Sequence, residues 1–237
     1  MVQIKTLGEK LERPIYVRLK FTKTGKLQYI SHLDLIRTMN KILVRSRMPM
    51  WYTEGFNPKP KMIFASSMSV GLQSVCEFMD VRITHEIDLL GAVEALNAAS
   101  TEELCFVDAY YPEEEFTSIA WAKYEITLNT PRVNEDAVEI LEKTLSSSPL
   151  VVLKRTKSGD KDVDISPSVS DVKAVINEKG EVLITLLLKA ENTSFLNPEY
   201  LITALKCKTD IFTDNLLDNT YSIVRTDMLL SDMTTFR

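Results

Sequence analysis

Three cations stand at helical spacing in the first fifth of the chain. Arg37, Lys41 and Arg45 are separated by four residues each, which on a helix places their charges along one stripe. A stripe of guanidinium and ammonium groups suits contact with a phosphate backbone. The spacing therefore predicts a helix face that binds a polyanion, and a solvated basic face without a ligand is the alternative.

The segment that follows interleaves aromatic side chains with lysines. Residues 51–61 read Trp-Tyr-Thr-Glu-Gly-Phe-Asn-Pro-Lys-Pro-Lys. Pro58 and Pro60 restrict the backbone, so that Lys59 and Lys61 have little conformational entropy to lose on binding. Cations beside aromatic rings are typical of single-stranded nucleic-acid sites, where bases stack and phosphates pair with charge.

Two of these aromatic residues have a second interpretation. Trp51 and Phe56 are each expected in the core, because large apolar rings are buried more often than they are presented to a ligand. The candidate residues for binding a nucleic acid or a protein partner are therefore Arg37, Lys41, Arg45, Tyr52, Asn57, Lys59 and Lys61.

His32 is the one candidate for catalysis. It lies just after Ser31, the predicted cap of the first helix, and two residues before Asp34. It could act as a general acid or base, or bind an anion at the amino end of the helix. A histidine that is hydrogen-bonded within its own helical turn is the alternative.

Several classes of site lack the residues they would need. The chain has two histidines and three widely spaced cysteines, Cys76, Cys105 and Cys207, which supports neither a zinc site nor a disulfide framework. The cysteines are expected to be buried free thiols. No phosphate-binding glycine loop and no CxxxCxxC motif is present, so no metal or cofactor is predicted for this chain.

Charge is distributed unevenly along the 237 residues. Residues 1–62 hold 13 basic and 4 acidic side chains, a net charge of +9, and the rest holds 15 against 29, a net charge of −14. This asymmetry predicts a polyanion-facing end. No apolar run approaches the roughly 20 residues of a membrane span, and residues 1–13 carry charges where a signal peptide is apolar, so we expect a cytoplasmic protein.

The elements that position these residues follow from hydrophobic periodicity. Val17, Leu19 and Phe21 alternate as a half-buried strand, and a helix runs from the Ser31 cap to about Arg47, where Pro49 ends it. The next elements are predicted to be strands at Met62–Ser66 and Glu77–Ile83, a helix capped by Asp88 and a strand at Cys105–Tyr110. This β-α-β-β-α-β order predicts a ferredoxin-like unit.

The acidic stretch at residues 112–115 is the predicted domain boundary. Beyond it, the predicted elements are a strand at Tyr124–Leu128, a helix through Leu141, strands near Val151, at Val169–Ile176 and at Val182–Leu188, a helix capped by Asn197, and a strand at Tyr221–Met228. The chain is therefore predicted to be α+β, a tandem of ferredoxin-like (split βαβ) units with antiparallel sheets. A basic domain spans 1–114 and an acidic domain spans 115–237.

Several strings of this sequence resemble the bacterial radical-SAM-linked protein family. The strings are Phe21-Thr22-Lys23-Thr24-Gly25-Lys26-Leu27, Ser31-His32-Leu33-Asp34-Leu35-Ile36-Arg37, Tyr52-Thr53-Glu54-Gly55-Phe56-Asn57-Pro58 with Lys61, then Phe64-Ala65, Gly71, Ser74, Glu77 and Asp80, and a weaker motif Asp164-Ile165-Ser166-Pro167. The resemblance covers nearly the whole chain. Lys59 stands where the family usually has histidine, which disfavours a role for a titrating imidazole there and leaves a phosphate contact intact.

The resemblance implies a partner rather than a reaction. Members of this family are found beside, or fused to, radical-SAM proteins with a cobalamin-type domain. Genes for a ribonuclease and ribosomal proteins often lie near them. Together with the basic first half of the chain, this neighbourhood predicts an accessory protein that presents RNA or a ribosomal substrate to a separate radical-SAM enzyme. S-adenosylmethionine, an iron-sulfur cluster and cobalamin would belong to that enzyme.

Two alternatives stay open. The chain could be an RNA-processing or RNA-modifying enzyme in its own right, with His32, Tyr29 or Lys59 near the reacting nucleotide, although no acid-base pair is identifiable from spacing. It could instead be a purely structural partner whose basic face docks on an acidic surface of the radical-SAM protein. The residues favour a role without catalysis for the isolated chain.

Overall fold

The computed structural model describes residues 3–156, 159–191 and 194–237. The chain divides into two compact units, Met1–Phe116 together with Arg237, and Thr117–Phe236. Each unit combines two α-helices with an antiparallel sheet.

The first unit contains six strands and two helices within the described residues. They are β1 Thr6–Leu7, β2 Ile15–Lys23, α1 His32–Arg45, β3 Met62–Phe64, β4 Gln73–Ile83, β5 Glu86–Ile87, α2 Leu89–Ala98 and β6 Phe106–Tyr110. The main sheet has the order β6, β2, β4, β3, with every pair antiparallel. Strands β1 and β5 pair separately. They are too short for a periodic pattern, which is why the sequence did not predict them.

Both helices of the first unit pack on one face of this sheet. Val17, Leu19 and Phe21 alternate along β2 and therefore share a face, and they form one core cluster with the apolar residues of α1 and α2. The α1 residues in that core are Leu35, Met39, Ile42 and Leu43. Burying one such side chain stabilises the fold by about 1.5–3 kcal/mol.

The ends of α1 follow local chemistry. Ser31 caps the helix, since its hydroxyl oxygen accepts a hydrogen bond from the Asp34 amide at 3.2 Å. The Ser31 hydroxyl also donates to the Asp34 carboxylate at 2.7 Å. At the other end the Met48 amide donates to the Leu43 carbonyl at 3.0 Å, which closes a Schellman motif before Pro49 is reached. The helix therefore ends two residues earlier than predicted.

Arg47 occupies the position in that motif where glycine is usual, with a φ of +59°. A side chain with a Cβ is strained in this left-handed region by about 1–2 kcal/mol. We expect Arg47→Gly to raise the free energy of unfolding by about 0.5–1 kcal/mol, because the relief of strain exceeds the entropy that glycine adds to the unfolded chain. Urea unfolding followed by circular dichroism measures this change. Arg47→Ala is the control, and an equal gain from alanine would contradict the backbone explanation.

The second unit contains the elements from Trp121 onward. They are β7 Trp121–Asn129, α3 Glu135–Leu145, β8 Val151–Thr156, β9 Gly159–Asp164, β10 Val169–Ile176, β11 Val182–Lys189, α4 Glu199–Lys208 and β12 Thr220–Leu229. The sheet has the order β10, β11, β7, β12, again antiparallel throughout. Tyr124, Ile126 and Leu128 of β7 are buried at 1% exposure or less, as their alternation predicts.

One part of the second unit differs from the prediction. The strand expected near Val151 is the first arm of a hairpin in which β8 pairs with β9 and, as far as the described residues show, with no strand of the main sheet. Strand β9 reads Gly-Asp-Lys-Asp-Val-Asp and is almost entirely exposed. Without a buried face it has no apolar alternation, so periodicity could not reveal it.

Candidate nucleic-acid interface

The predicted cationic stripe is present on the outer surface of α1. Arg37, Lys41 and Arg45 are all exposed, because the apolar residues between them point to the core. Successive members lie one turn apart, about 6 Å along the helix axis. Leu33 and Val44, exposed to 55% and 56%, accompany them on the outer surface. The stripe therefore combines cations with exposed apolar area.

Arg37 differs from the other two cations. Its Nη1 contacts the Asp34 carboxylate at 3.0 Å. The Ser31 hydroxyl, which donates to Asp34, and then Arg37 itself hold the pKa of that carboxyl below its ordinary value. Within the described ranges neither Lys41 nor Arg45 forms an ion pair. These two cations are therefore the part of the stripe that is available to a ligand.

The segment from Trp51 to Lys61 forms a hairpin held by its own backbone. Tyr52 pairs with Pro60 as an antiparallel bridge. The Thr53 amide donates to the Lys59 carbonyl at 2.9 Å, and the Lys59 amide donates to the Thr53 hydroxyl at 3.0 Å. Gly55 has a φ of +124°, a conformation that residues with a Cβ rarely adopt. These bonds define the shape of the loop that carries the candidate residues.

The tip of the hairpin is exposed. Phe56 is fully accessible to solvent, so the expectation that it belongs to the core is wrong. Its neighbours in the turn are charged or polar, and the hairpin is too narrow to enclose a ring. Tyr52, Asn57, Lys59 and Lys61 are exposed as well.

Trp51 is also outside the core cluster, but its ring contacts another side chain. It is partly exposed, and the Arg82 guanidinium lies 4.8 Å from the centre of its ring. Among the described residues, no hydrogen bond, ion pair or ring contact joins the hairpin to the α1 stripe. The structure thus presents two basic elements of one unit rather than a single continuous contact.

Part of the positive charge of residues 1–62 is not at the surface. Arg18 and Lys23 are each only 1% exposed. Arg18 forms a two-point ion pair with Asp80 at 2.8 and 2.9 Å, and Lys23 donates to the carbonyls of Gln28 and Leu72 at 3.4 and 3.3 Å. These two side chains are structural.

The description of the whole first domain as basic is wrong. Residues 1–114 carry 14 basic and 14 acidic side chains, because Arg82 is the only cation that residues 63–114 add. The excess of positive charge belongs to residues 1–62, where α1 and the hairpin carry five of the ten exposed cations. The positive charge is therefore a property of particular elements and not of the whole first domain.

The sheet face opposite the helices is occupied. Arg18 is paired across the sheet with Asp80 and Tyr110, and the Phe116 ring lies 4.2 Å from the Arg18 guanidinium. Burial raises the pKa of Tyr110 to about 12, so its phenol stays protonated at neutral pH. Bases cannot stack on this part of the sheet.

His32 lies at the first residue of α1 and is half-buried. Its ring meets Phe64 edge to face, with centroids 5.2 Å apart, and its Nδ1 is buried without a hydrogen-bond partner among the described residues. The hydrogen bond within its own turn that the sequence allowed is therefore not formed by Nδ1. A catalytic histidine is normally oriented by a second group, and in the described ranges no side chain or carbonyl is hydrogen-bonded to this ring.

The remaining predictions about sites have mixed outcomes. Cys76 is buried, but Cys105 and Cys207 are exposed, so the expectation of three buried thiols is wrong. In the described ranges no cluster of His, Cys, Asp or Glu is arranged to hold a metal ion. No helix among these residues is long and apolar enough to cross a membrane.

The Asp164 motif has a structural role. The Asp164 carboxylate accepts hydrogen bonds from the amides of Leu150 and Ser166 at 2.8 and 3.0 Å. The bonds from Ser166, and then the one from Leu150, hold the pKa of this carboxyl below its ordinary value. Asp164 therefore fastens the end of the β8–β9 hairpin.

Two functional candidates were missed by sequence reasoning. Arg82 of β4 and Tyr16 of β2 stand opposite each other across the sheet, and the Arg82 guanidinium lies 5.4 Å from the Tyr16 ring centre. The two residues are 66 positions apart. Only the register of β2 and β4 reveals that they meet Trp51 at the base of the hairpin.

The solved structures that are similar to this chain include two complexes. One is titled "Crystal Structure of a Cbf5-Nop10-Gar1 Complex", at 12% identity and a TM-score of 0.45, covering 90% of this chain and 48% of the other. The second is titled "Structure of H/ACA RNP bound to a substrate RNA containing 2'-deoxyuridine", at 12% identity and a TM-score of 0.47, covering 90% and 47%. The chain thus spans about half the length of each. Scores below 0.5 carry no weight for function.

Comparison at the level of sequence identifies the family. No curated protein matches the chain. Residues 16–198 match the model described as "Uncharacterized protein conserved in bacteria (DUF2344)". This match includes α1, the hairpin and Arg82 and covers well over half of the 237 residues. The chain therefore belongs to the DUF2344 family of proteins conserved in bacteria.

Proposed function

We propose that this protein binds single-stranded RNA through the hairpin of residues 51–61 and the α1 stripe. In this proposal it is an accessory protein that presents RNA or a ribosomal substrate to a separate radical-SAM enzyme in the bacterial cytoplasm. S-adenosylmethionine, the iron-sulfur cluster and cobalamin are assigned to that enzyme.

The observation that carries the proposal is the composition of the hairpin surface. Phe56 is fully exposed at the tip, and Tyr52, Lys59 and Lys61 are exposed on the arms. An aromatic ring left in water on a backbone-fixed loop can stack on a base, which contributes about 1–3 kcal/mol per base. The two lysines can pair with the flanking phosphates.

The architecture suits such a module. We propose that each unit is ferredoxin-like, so that the chain is a tandem of two. This is supported by the antiparallel sheet orders β6-β2-β4-β3 and β12-β7-β11-β10, which follow the same sequence of elements. Fold alone does not assign function, so the RNA proposal depends on the hairpin and not on this likeness.

A protein partner is the second candidate for the α1 stripe. Leu33 and Val44 are exposed beside Lys41 and Arg45, and apolar side chains among cations also suit an acidic protein surface. The proposal of a docking surface for the radical-SAM enzyme rests on these two residues. The catalytic alternative has less support, because His32 Nδ1 has no partner within the described ranges that would orient the ring.

Fluorescence anisotropy tests the RNA proposal. The whole chain is titrated against a labelled single-stranded RNA of about 12 nucleotides and against a hairpin RNA, from about 50 to 300 mM KCl. We expect micromolar binding that prefers the single strand and weakens linearly with the logarithm of salt concentration. Absence of binding at the lowest salt would overturn the proposal. If the chain captures the radical-SAM protein and added RNA does not compete with that binding, docking on the radical-SAM protein is favoured instead.

A further inference from the structure

Arg82 contacts two aromatic rings at the base of the hairpin. Its guanidinium carbon lies 4.8 Å from the ring centre of Trp51 and 5.4 Å from that of Tyr16. The backbone sets this arrangement. Tyr16 is the register partner of Arg82 on β2, and the Trp51 amide donates to the Arg82 carbonyl at 2.7 Å.

The charge of Arg82 has no counterion among the residues that the structure describes. Its Nε is buried and has no hydrogen-bond partner, and no carboxylate or carbonyl among the described residues accepts a hydrogen bond from its guanidinium. Arg18, on the same face of the sheet, is paired with Asp80. Leaving a partly desolvated guanidinium without a hydrogen-bond acceptor costs free energy, and a bound anion that accepts from it removes that cost.

We propose that Arg82, clamped by Tyr16 and Trp51, binds a phosphate group of the RNA backbone. This inference rests on the proposed function, which it extends from exposed lysines to an anion site at the base of the hairpin. The parallel N–H groups of a guanidinium match two oxygens of one phosphate. The two rings restrict the guanidinium plane, so that little side-chain entropy is lost on binding.

The position of the site fits a strand of RNA that passes along the hairpin. The Arg82 amide donates to the Lys61 carbonyl at 3.1 Å, so Arg82 and Lys61 are neighbours at the hairpin base. Tyr16, Trp51 and Arg82 are each partly exposed. An oxyanion from solvent can therefore reach the guanidinium while a base stacks on Phe56 at the tip.

Trp51 provides a direct reporter. The chain contains two tryptophans, Trp51 and Trp121, so the Trp121→Phe variant emits from Trp51 alone. This variant is titrated with sodium phosphate, sodium acetate and sodium chloride at constant ionic strength. We expect a saturable change of Trp51 emission with phosphate, a weaker one with acetate and none with chloride.

Variants of Arg82 connect this signal to RNA. We expect Arg82→Gln to abolish the phosphate response and to weaken RNA binding about tenfold. Arg82→Lys should be intermediate, because it keeps the charge and loses the planar fork. Arg47→Gln is the matched control, since it removes one exposed arginine of the same unit outside the clamp. Circular dichroism confirms that each variant is folded, and the Trp121→Phe titration does not depend on the Arg82 variants.

The outcomes separate this inference from the proposed function. RNA binding without any phosphate response, or with equal affinity in folded Arg82→Gln and Arg47→Gln, would overturn the Arg82 site and leave the hairpin proposal standing. A phosphate response without RNA binding would overturn the proposed function and the assignment of the phosphate to RNA. An acetate response equal to that of phosphate, again without RNA binding, would overturn both and indicate a carboxylate of a protein partner.

Discussion

Replacing Lys41, Arg45, Lys59 and Lys61 together with alanine is expected to weaken binding to single-stranded RNA by roughly 100-fold or more at about 0.1 M salt. All four side chains are exposed, and none of them forms an ion pair among the described residues. Each cation that neutralises a phosphate on a single strand contributes about 0.7 to the slope of log K against log salt. For the variant, the slope of log K against log salt should therefore be smaller in magnitude by about 3.

The measurement is the anisotropy titration repeated at several KCl concentrations. A matched control replaces Lys123, Lys143, Lys161 and Lys179 of the second unit with alanine, because these residues are also exposed and remove the same charge. The control should keep the affinity within about threefold, since salt at about 0.1 M largely screens the effect of net charge alone. Equal losses in both variants would mean that RNA responds only to net charge and that α1 and the hairpin form no site.

Asp80→Asn is expected to lower the free energy of unfolding by about 3–5 kcal/mol. Arg18 is 1% exposed and forms two hydrogen bonds with the Asp80 carboxylate. Asparagine keeps the shape of the side chain but removes the carboxylate charge that pairs with the buried guanidinium. Urea unfolding of the whole chain, followed by circular dichroism, measures the loss.

The control for this prediction is the double replacement Arg18→Met with Asp80→Leu. Removing both charges is often nearly neutral, because the desolvation of the pair disappears with its attraction. The double variant should therefore regain most of the stability that Asp80→Asn loses, and a double-mutant cycle isolates the coupling. A loss below about 1 kcal/mol for Asp80→Asn would contradict the view that this pair is desolvated.

Candidate residues show where sequence reasoning stops. Arg37, Lys41 and Arg45 could be placed on one exposed stripe from spacing alone, because a helix converts sequence separation directly into direction. The exposure of Phe56 could not be predicted, since an aromatic residue between polar neighbours fits a core or a ligand equally well. The hydrogen bonds between Thr53 and Lys59 shape the hairpin that leaves Phe56 exposed at its tip.

Arg18 and Arg82 show the same limit more clearly. Both are arginines in alternating strands, and nothing in their local sequence distinguishes them. One is paired with Asp80, and the other contacts the rings of Tyr16 and Trp51 and has no counterion within the described part of the chain. Their partners are 62 and 66 residues away in β4 and β2, so strand register, not sequence proximity, determines which cation is structural and which is available.

The sequence by itself determined the long elements of this protein, because alternation in β2, β7 and β11 and the three-to-four residue spacing in α1 express one buried face of each element. It also determined the concentration of cations in residues 1–62. Only the tertiary structure decided which of those cations reach solvent, which aromatic rings stay exposed, and that Tyr16, Trp51 and Arg82 meet. The physical reason is that burial and ion pairing depend on contacts between distant strands, whose register no local pattern encodes.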